Sequence, residues 1–564
     1  MAFQISPGVN VSEVDLTTVV PSVLTTSGAF AGYFSWGPAN QIVTVSSEIV
    51  LTQQFGKPDS NSAIPFFTAA NFLAYGNNLN LVRTVASTSV NADANPSNAN
   101  VQVANESVFQ ASYLNTNNSN QYGSFMARYP GALGNSLSIS VCDNSTNFAS
   151  WAYKSYFTAT PNTSTYVASA GGAYDEMHIA VIDTNGLFTG SAGTVLETYP
   201  FVSKAADSTT NGTSNYYKQV IFNNSKYVYA VDPVDYANTT ATWGLTAAGT
   251  TFRQLASVQT VSLTAGTDGT PTDGNIQSGY SLFGNKDTLN ISLVLTGGAS
   301  AAVQNYVISN IVNSRADCVA FISPPLSSVL NQSGTEASNI ITWLGTLGIT
   351  SSYAFADSGW KYQYDKYNNV YRWIPLNGDI AVLCVYTDTV KYPWFSPAGY
   401  NRGSIKNAIK LAWNPIKTDR DTLYAAGVNP VVSFPGQGII LFGDKTLQSK
   451  PSAFDRINVR RLFIVLEKTI ATAAKYSLFE LNDDFTRAQF VALVTPFLRD
   501  VQGRRGITDF KVVCDTTNNT PQVINSNQFV GDIYIKPARS INFIQLNFVA
   551  VNTGVDFNTI VNAA

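Results

Sequence analysis

At 564 residues the chain is too long for one hydrophobic core, and 45% apolar against 12% charged residues marks it as globular. A net charge of −3 excludes a global pull toward nucleic acid or anionic lipid. Cys142, Cys318, Cys384 and Cys514 are scattered without a Cys-x-x-Cys pair, which argues against a zinc ribbon or a disulfide-stapled scaffold and predicts reduced thiols.

The chain opens β-prone. Phe3, Ile5, Val9, Val11 and Val14 are spaced mostly by two or four, with a turn signal at Pro7-Gly8. No basic region or cleavage site marks this end as a signal peptide. A strand with no hairpin partner of its own needs another to pair with, in its own domain or in a neighbouring subunit. Leu16 to Ser47 carries no charge, but Pro21, Gly28, Gly32, Gly37 and Pro38 break it, so no spanning helix is expected. TSGAFAGYFSWGPANQIVTVSS reads as a buried strand, a Gly-Pro turn and a second strand. A helix over 64–73 and the strand NLNLVRTV follow, which predicts an α/β layer.

From 86 to 300 the charge thins to about one residue in ten, against more than one in four across 445–511. Short β-prone runs, SLSISV, KQVIF and KYVYAV, alternate with turn clusters and predict a β-rich insertion. Beyond it the pattern predicts a helix over 301–314, the strand CVAFISPP and a helix over 336–347. Trp360, Tyr362, Tyr364, Tyr367, Tyr371 and Trp373 then crowd together, as expected of an interface or core and also able to stack bases. IAVLCVYT is a near-continuous apolar run, as in a central strand. A strand is expected over 438–442.

From Val459 on, Leu462, Phe463, Leu466, Ile470, Ala473 and Ala474 recur at steps of three and four, one face of a helix. Arg460, Arg461, Glu467, Lys468 and Lys475 lie mostly off that face. Asp483 or Asp484 caps a further helix, with Pro496 expected to kink it and Gly503 and Gly506 to end it. FKVVCD, DIYIKP and INFIQLNFVAV read as strands, and VINSNQFVG as helical or extended.

Catalytic constellations are missing. His178 is the sole histidine, no GxxxxGK[ST] occurs, and Gly436-Gln437-Gly438 lacks the third glycine of a dinucleotide loop. Asp483-Asp484 fits a helix start better than a cation site, and Arg504-Arg505 fits either a solvated turn or a subunit contact.

Three pieces then stand in order: GQGIILFGDKTL (436–447), INVRRLFIVLEKTI (457–470) and FELNDDFTRAQF (479–490). Together they resemble the core of contractile-tail sheath proteins, the outer cylinder of myovirus tails. SPGVNVSEVD, Ala127-Arg128-Tyr129-Pro130-Gly131, VSLTAGTDG (261–269), SPAGYNRGSI (396–405) and VVCDTTNNTP extend the likeness, closest to the T4-like subgroup. Leu481 departs from the proline usual there. The likeness covers the first 85 residues and about 260 onward.

The resemblance implies a mixed α/β, α+β multidomain chain. An N-terminal linking arm would span 1–25, and an α/β middle domain 26–85 plus 260–380. A β-rich, outward-facing insertion would span 86–259, a tube-proximal C-terminal α/β core 381–551, and a second arm 552–564. It further implies a structural subunit, not an enzyme, that uses no cofactor and no metal. Copies stack as six-fold helical rings around a tail tube and contract to drive it through a host envelope. Its partners would be itself, the tail tube protein, and baseplate and tail terminator proteins, with no direct nucleic acid and no membrane insertion. The sheath would be assembled in the host cytoplasm and carried in the virion. Phe3, Ile5, Val9, Val11, Val14, Gly554, Val555, Phe557 and Ile560 would form the arms. Ile533, Tyr534, Ile535, Ile541, Phe543, Ile544 and Leu546 would belong to a receiving sheet. Arg460, Arg461, Arg504 and Arg505 would contact the tube or a neighbour. The Asn- and Thr-rich middle alone favours a rival, a virion-surface adhesin that binds a glycan or receptor.

Overall fold

The apolar run around Phe30 forms the strand Gly28–Gly32, every residue of which is buried. In the computed structural model, which describes residues 24–95, 101–114, 122–234 and 242–546, this strand lies inside a seven-stranded sheet. Across the sheet the order is Val428–Asn429, Ala354–Asp357, Val319–Ile322, Leu293–Leu295, Gly28–Gly32, Leu79–Arg83 and Ile42–Val45. Neighbours pair in parallel except the last, which runs antiparallel and closes one edge.

Alternation along these strands sorts large from small side chains. Phe30, Leu81, Leu295, Phe321 and Phe355 face the helices Ala63–Phe72 and Asn377–Val390. Ala29, Ala31, Ala320, Ala354 and Ala356 face the other way, toward Asp273–Ser281, Ala301–Tyr306 and Glu336–Leu347. A parallel sheet buried on both faces has almost no polar side, which is why its strands read as continuous apolar runs. The helix at Ala301 continues through a π-turn, Val307–Val312, before it ends at Asn313–Arg315.

The predicted strand IAVLCVYT is helical, part of Asn377–Val390. Ile380 to Val385 are all buried, against the sheet on one side and near Ile457 and Ile464 on the other. A helix wrapped on every side loses the polar stripe that would betray its period. KQVIF likewise lies in a short helix, Tyr217–Asn224, and not in a strand.

The insertion builds its own layer. Gln259–Ser262, Leu137–Cys142, Glu176–Asp183 and Thr194–Ser203 form an antiparallel sheet, and Phe125–Ala127 pairs with Val228–Ala230. At one end of the sheet, just past Cys142 and Ser203, Lys204 and Asp143 pair at 2.9 Å with both side chains fully buried. Lys204 also donates to the carbonyls of Tyr174 and Arg253 at 3.0 Å, which satisfies the charge that burial isolates.

Arg83 ties the insertion to the large sheet. It is buried at the end of its strand and donates to the carbonyls of Phe34, Gly37 and Pro130 at 2.7, 2.7 and 2.6 Å. Gly37 holds φ +96°, and a Cβ there would meet the Gln54 carbonyl at 2.5 Å, so this turn requires glycine.

The chain divides into two compact units, Met1–Leu478 and Phe479–Ala564. The boundary expected at 380/381 falls inside the helix Asn377–Val390, and Val428–Asn429 joins the large sheet, so neither can belong to a separate core. In the second unit the helix Asp484–Gly503 starts where predicted, with the Asp483 carboxylate accepting the Thr486 N–H at 2.8 Å. Pro496 lies inside it, on the exposed side, where water can satisfy the carbonyl that proline leaves unbonded.

Candidate assembly surfaces

The second unit holds one ribbon among its described residues. Ile507–Val513 runs antiparallel to Asp532–Pro537, with Phe510 opposite Ile535 and Val512 opposite Ile533. No further strand pairs with either outer edge among the described residues. Two strands are marginal in water, and a third or fourth adds backbone hydrogen bonds that these edges leave open. Ile533, Tyr534 and Ile535 lie on this ribbon. Ile541, Phe543, Ile544 and Leu546 do not form the strand expected of them, and each is 71–84% exposed. A strand is defined by its partner's backbone, and the described residues of one chain offer 541–546 none. The arm positions Phe3, Ile5, Val9, Val11, Val14, Gly554, Val555, Phe557 and Ile560 lie outside the described residues.

A second surface comes from the crowded aromatics. Trp360–Asp365 pairs antiparallel with Val370–Pro375 and with Lys410–Leu411. Because opposed residues share a face, Tyr362, Trp373 and Lys410 stand together, and Tyr364 stands with Tyr371. Ring centroids are 4.6 Å apart for Tyr362–Trp373 and 5.2 Å for Tyr364–Tyr371. The Lys410 ammonium sits 5.1 Å from the Tyr362 ring centroid. The opposite face is buried and carries Lys361, Gln363 and Asp365.

His178 is buried; its Nδ1 accepts the Phe201 N–H at 3.0 Å, and its Nε2 lies 2.7 Å from the Ala159 carbonyl. Both ring nitrogens are therefore engaged, and burial holds the imidazole below its ordinary pKa. All four thiols are free and buried, and burial pushes Cys318 and Cys384 up to about 12. Among the described residues no cluster of His, Cys, Asp and Glu is placed to hold a metal ion.

Buried carboxyls are expected to make the fold's stability depend on pH, Asp357 most of all. Asp357, at the end of its strand, accepts from the Ser323 hydroxyl at 2.6 Å and the Gly359 N–H at 2.9 Å. Burial pushes its pKa up to about 8; those two bonds oppose the shift and Asp379 adds to it. Asp379 is paired with Lys361 at 2.7 Å, and burial shifts its carboxyl up and the ammonium down. A carboxyl whose pKa is higher folded than unfolded contributes stability that is full below about 4 and is lost as pH rises through about 8. Denaturation of the unassembled protein is expected to show stability falling with pH across that window, by up to about 1.4 kcal/mol per unit. Asp357→Asn is expected to flatten the slope. A slope that persists in the variant places the titrating group elsewhere.

The chain's relatives show what carries these surfaces. The tail sheath protein of Vibrio phage KVP40 is 33% identical across 99% of each chain, and that of Enterobacteria phage T4 is 32% identical across 99% of each. This chain belongs to the tail sheath protein family. Residues 293–447 match the phage tail sheath protein central domain, and 449–550 match the phage tail sheath C-terminal domain. The fold agrees. The crystal structure of a sheath tail protein from Listeria innocua, 11% identical, superposes with a TM-score of 0.55 over 91% of this chain and 92% of its own. The PVC sheath complex in its contracted state, 12% identical, gives 0.52 over 99% and 100%. Curated relatives that match from end to end are tail sheath proteins, which favours this reading over an adhesin.

In this sheath protein the four singled-out arginines separate into two kinds. Arg460 and Arg461 are buried, a correction to the reading that placed them at a tube or subunit contact. Arg460 lies 3.8 Å from the Phe454 ring centroid and 4.2 Å from that of Tyr353, and donates to the Tyr353 hydroxyl at 3.1 Å. Arg461 grips Asp388 with two bonds, at 2.9 and 2.6 Å, from the helix Ile457–Ala474 to the helix Asn377–Val390. That helix is buried well beyond its apolar stripe, and the long stems of arginine pack while the heads find partners inside. Arg504 and Arg505 are exposed, Arg504 paired with Asp500 at 2.8 Å. Sequence patterning missed Asp388, Asp357 and Lys204 altogether. Single charges within apolar or polar runs give no periodic signal, and only their burial reveals them.

Proposed function

We propose that this sheath protein is linked copy to copy by its terminal segments, which add strands to the ribbon Ile507–Val513 and Asp532–Pro537 of neighbours. The supporting observation is the ribbon itself, two strands whose outer edges pair with no further strand among the described residues, followed in the chain by the exposed Ile541, Phe543, Ile544 and Leu546. Each added backbone hydrogen bond contributes about 0.5–1.5 kcal/mol net, so a strand of several bonds forms a firm but jointed link. Repeated heterologous contacts of this kind build an open helix, here as stacked six-membered rings around a tail tube. The chain assembles in the host cytoplasm, joins a baseplate at one end of the tail and a terminator at the other, and remains in the virion. The insertion 86–259 faces outward, and the C-terminal region lies nearest the tube.

Contraction then consumes no nucleotide. Jointed links hold while the bodies turn as rigid units into a second set of contacts. An extra 400 Å² of apolar contact per copy, at about 25 cal/mol per Å², gives about 10 kcal/mol as an upper bound. The extended form is held by a kinetic barrier.

Replacing Val9 and Val11 together by proline removes two N–H donors from the N-terminal segment. Electron microscopy of the purified variant is expected to show folded protein and no long striated tubes. Tubes of normal length from the variant would refute the strand-exchange reading.

A further inference from the structure

Each unit carries an exposed aromatic surface, one bordered by a lysine and the other by a glutamate. On the first unit, Tyr362, Tyr364, Tyr371 and Trp373 form a face edged by Lys410. Tyr364 and Tyr371 are exposed, and no carboxylate lies within ion-pair distance of Lys410 among the described residues. On the second unit, the short run from Phe479 to Phe485 leaves Phe479, Leu481 and Phe485 largely in water. Phe479 is fully exposed and holds φ +70°, a left-handed conformation rare for a bulky residue. Glu480 lies between two of these apolar residues with no cation in reach among the described residues, while Asp483 caps its helix and Asp484 pairs with Arg487.

Apolar side chains are rarely left this exposed in one short run unless something covers them. A ladder of tyrosine and tryptophan rings suits phenylalanine by stacking and edge contacts, and a lysine at its border suits an intervening carboxylate. An open helical assembly also needs two different patches on each copy that fit one another. We infer that the Tyr362–Tyr364–Tyr371–Trp373 face, with Lys410, docks the Phe479–Phe485 segment of a second copy of this chain. Glu480 meets Lys410, and Phe479 and Leu481 lie on the rings. This inference rests on the self-assembly reading above and names a body-to-body contact distinct from the strand links.

Charge reversal on both sides tests it. The full-length protein, Lys410→Glu, Glu480→Lys and the double variant are compared by light scattering and electron microscopy of tube formation at low salt. Both side chains are exposed and make no ion pair among the described residues; because Lys410 also lies over the Tyr362 and Trp373 rings, melting of the unassembled protein serves as the folding control. Each single reversal is expected to raise the concentration needed for assembly about tenfold, and the double variant to return within about threefold of the parent. Phe479→Ser is expected to impair assembly without a change of charge. Singles that assemble like the parent, or a double no better than the worse single, overturn the contact. So does a reversal that leaves self-assembly intact but abolishes binding of purified tube protein, since the face then belongs to that partner. If the parent itself forms no tubes under any condition, the self-assembly reading falls, and this inference with it.

Discussion

Arg83→Met is expected to destabilise the first unit by about 3 kcal/mol or more. The substitution keeps most of the apolar stem and removes every donor. Three backbone carbonyls, of Phe34, Gly37 and Pro130, then lose their partner in a region closed to water. A buried acceptor left unsatisfied costs about 1–3 kcal/mol, and three in one place are coupled and do not simply add. Among the described residues no carboxylate pairs with it directly; the carbonyls take its donors, Tyr33 and Asp268 favour its charge from farther off, and burial outweighs them and lowers its pKa to about 10. Lysine offers a point charge instead of a planar fork and is expected to recover only part of the loss. Urea denaturation of the unassembled protein measures the effect. Limited proteolysis should show new cleavage near Pro130, where the insertion loses its tie to the sheet. A variant with an unchanged midpoint would mean that water replaces the guanidinium at little cost.

Arg461→Met is expected to cost about 3–5 kcal/mol, because it strands the Asp388 carboxylate in the interior. Both side chains are about 95% buried, and the pair is bidentate. Thr25 also donates to Asp388, at 2.7 Å, so the chain just before the strand Gly28–Gly32 is held at the same point. Removing one partner of a buried pair is far worse than removing both. Arg461→Met with Asp388→Leu is expected to recover most of the stability, less the Thr25 bond, and the same denaturation series measures it. If the double variant is no better than the single, the loss comes from packing of the stem and not from the isolated charge.

Where one side of an element met water and the other met the core, the sequence showed it plainly. The helix Glu336–Leu347 matches its predicted span, Ala63–Phe72 and Asp484–Gly503 begin within a residue or so of expectation, and the Gly-Pro turn separates the two predicted strands. Family membership was legible for a different reason. Three long pieces in fixed order carry more information than any single motif, and relatives that match across the whole chain bear it out.

Sequence alone determined the mixed α/β class, the longer amphipathic helices, several strands, and the sheath family. Tertiary structure decided whether Ile380 to Val385 would be strand or helix, since a segment buried on all sides carries no polar period. It decided that Arg460 and Arg461 turn inward, since a long side chain reaches either way from the same helix position. It also moved the division of the chain to Leu478/Phe479, since Val428–Asn429 hydrogen-bonds into a sheet begun some four hundred residues earlier. Pattern records the contrast between core and solvent; where that contrast is missing, only packing between distant parts of the chain settles the outcome.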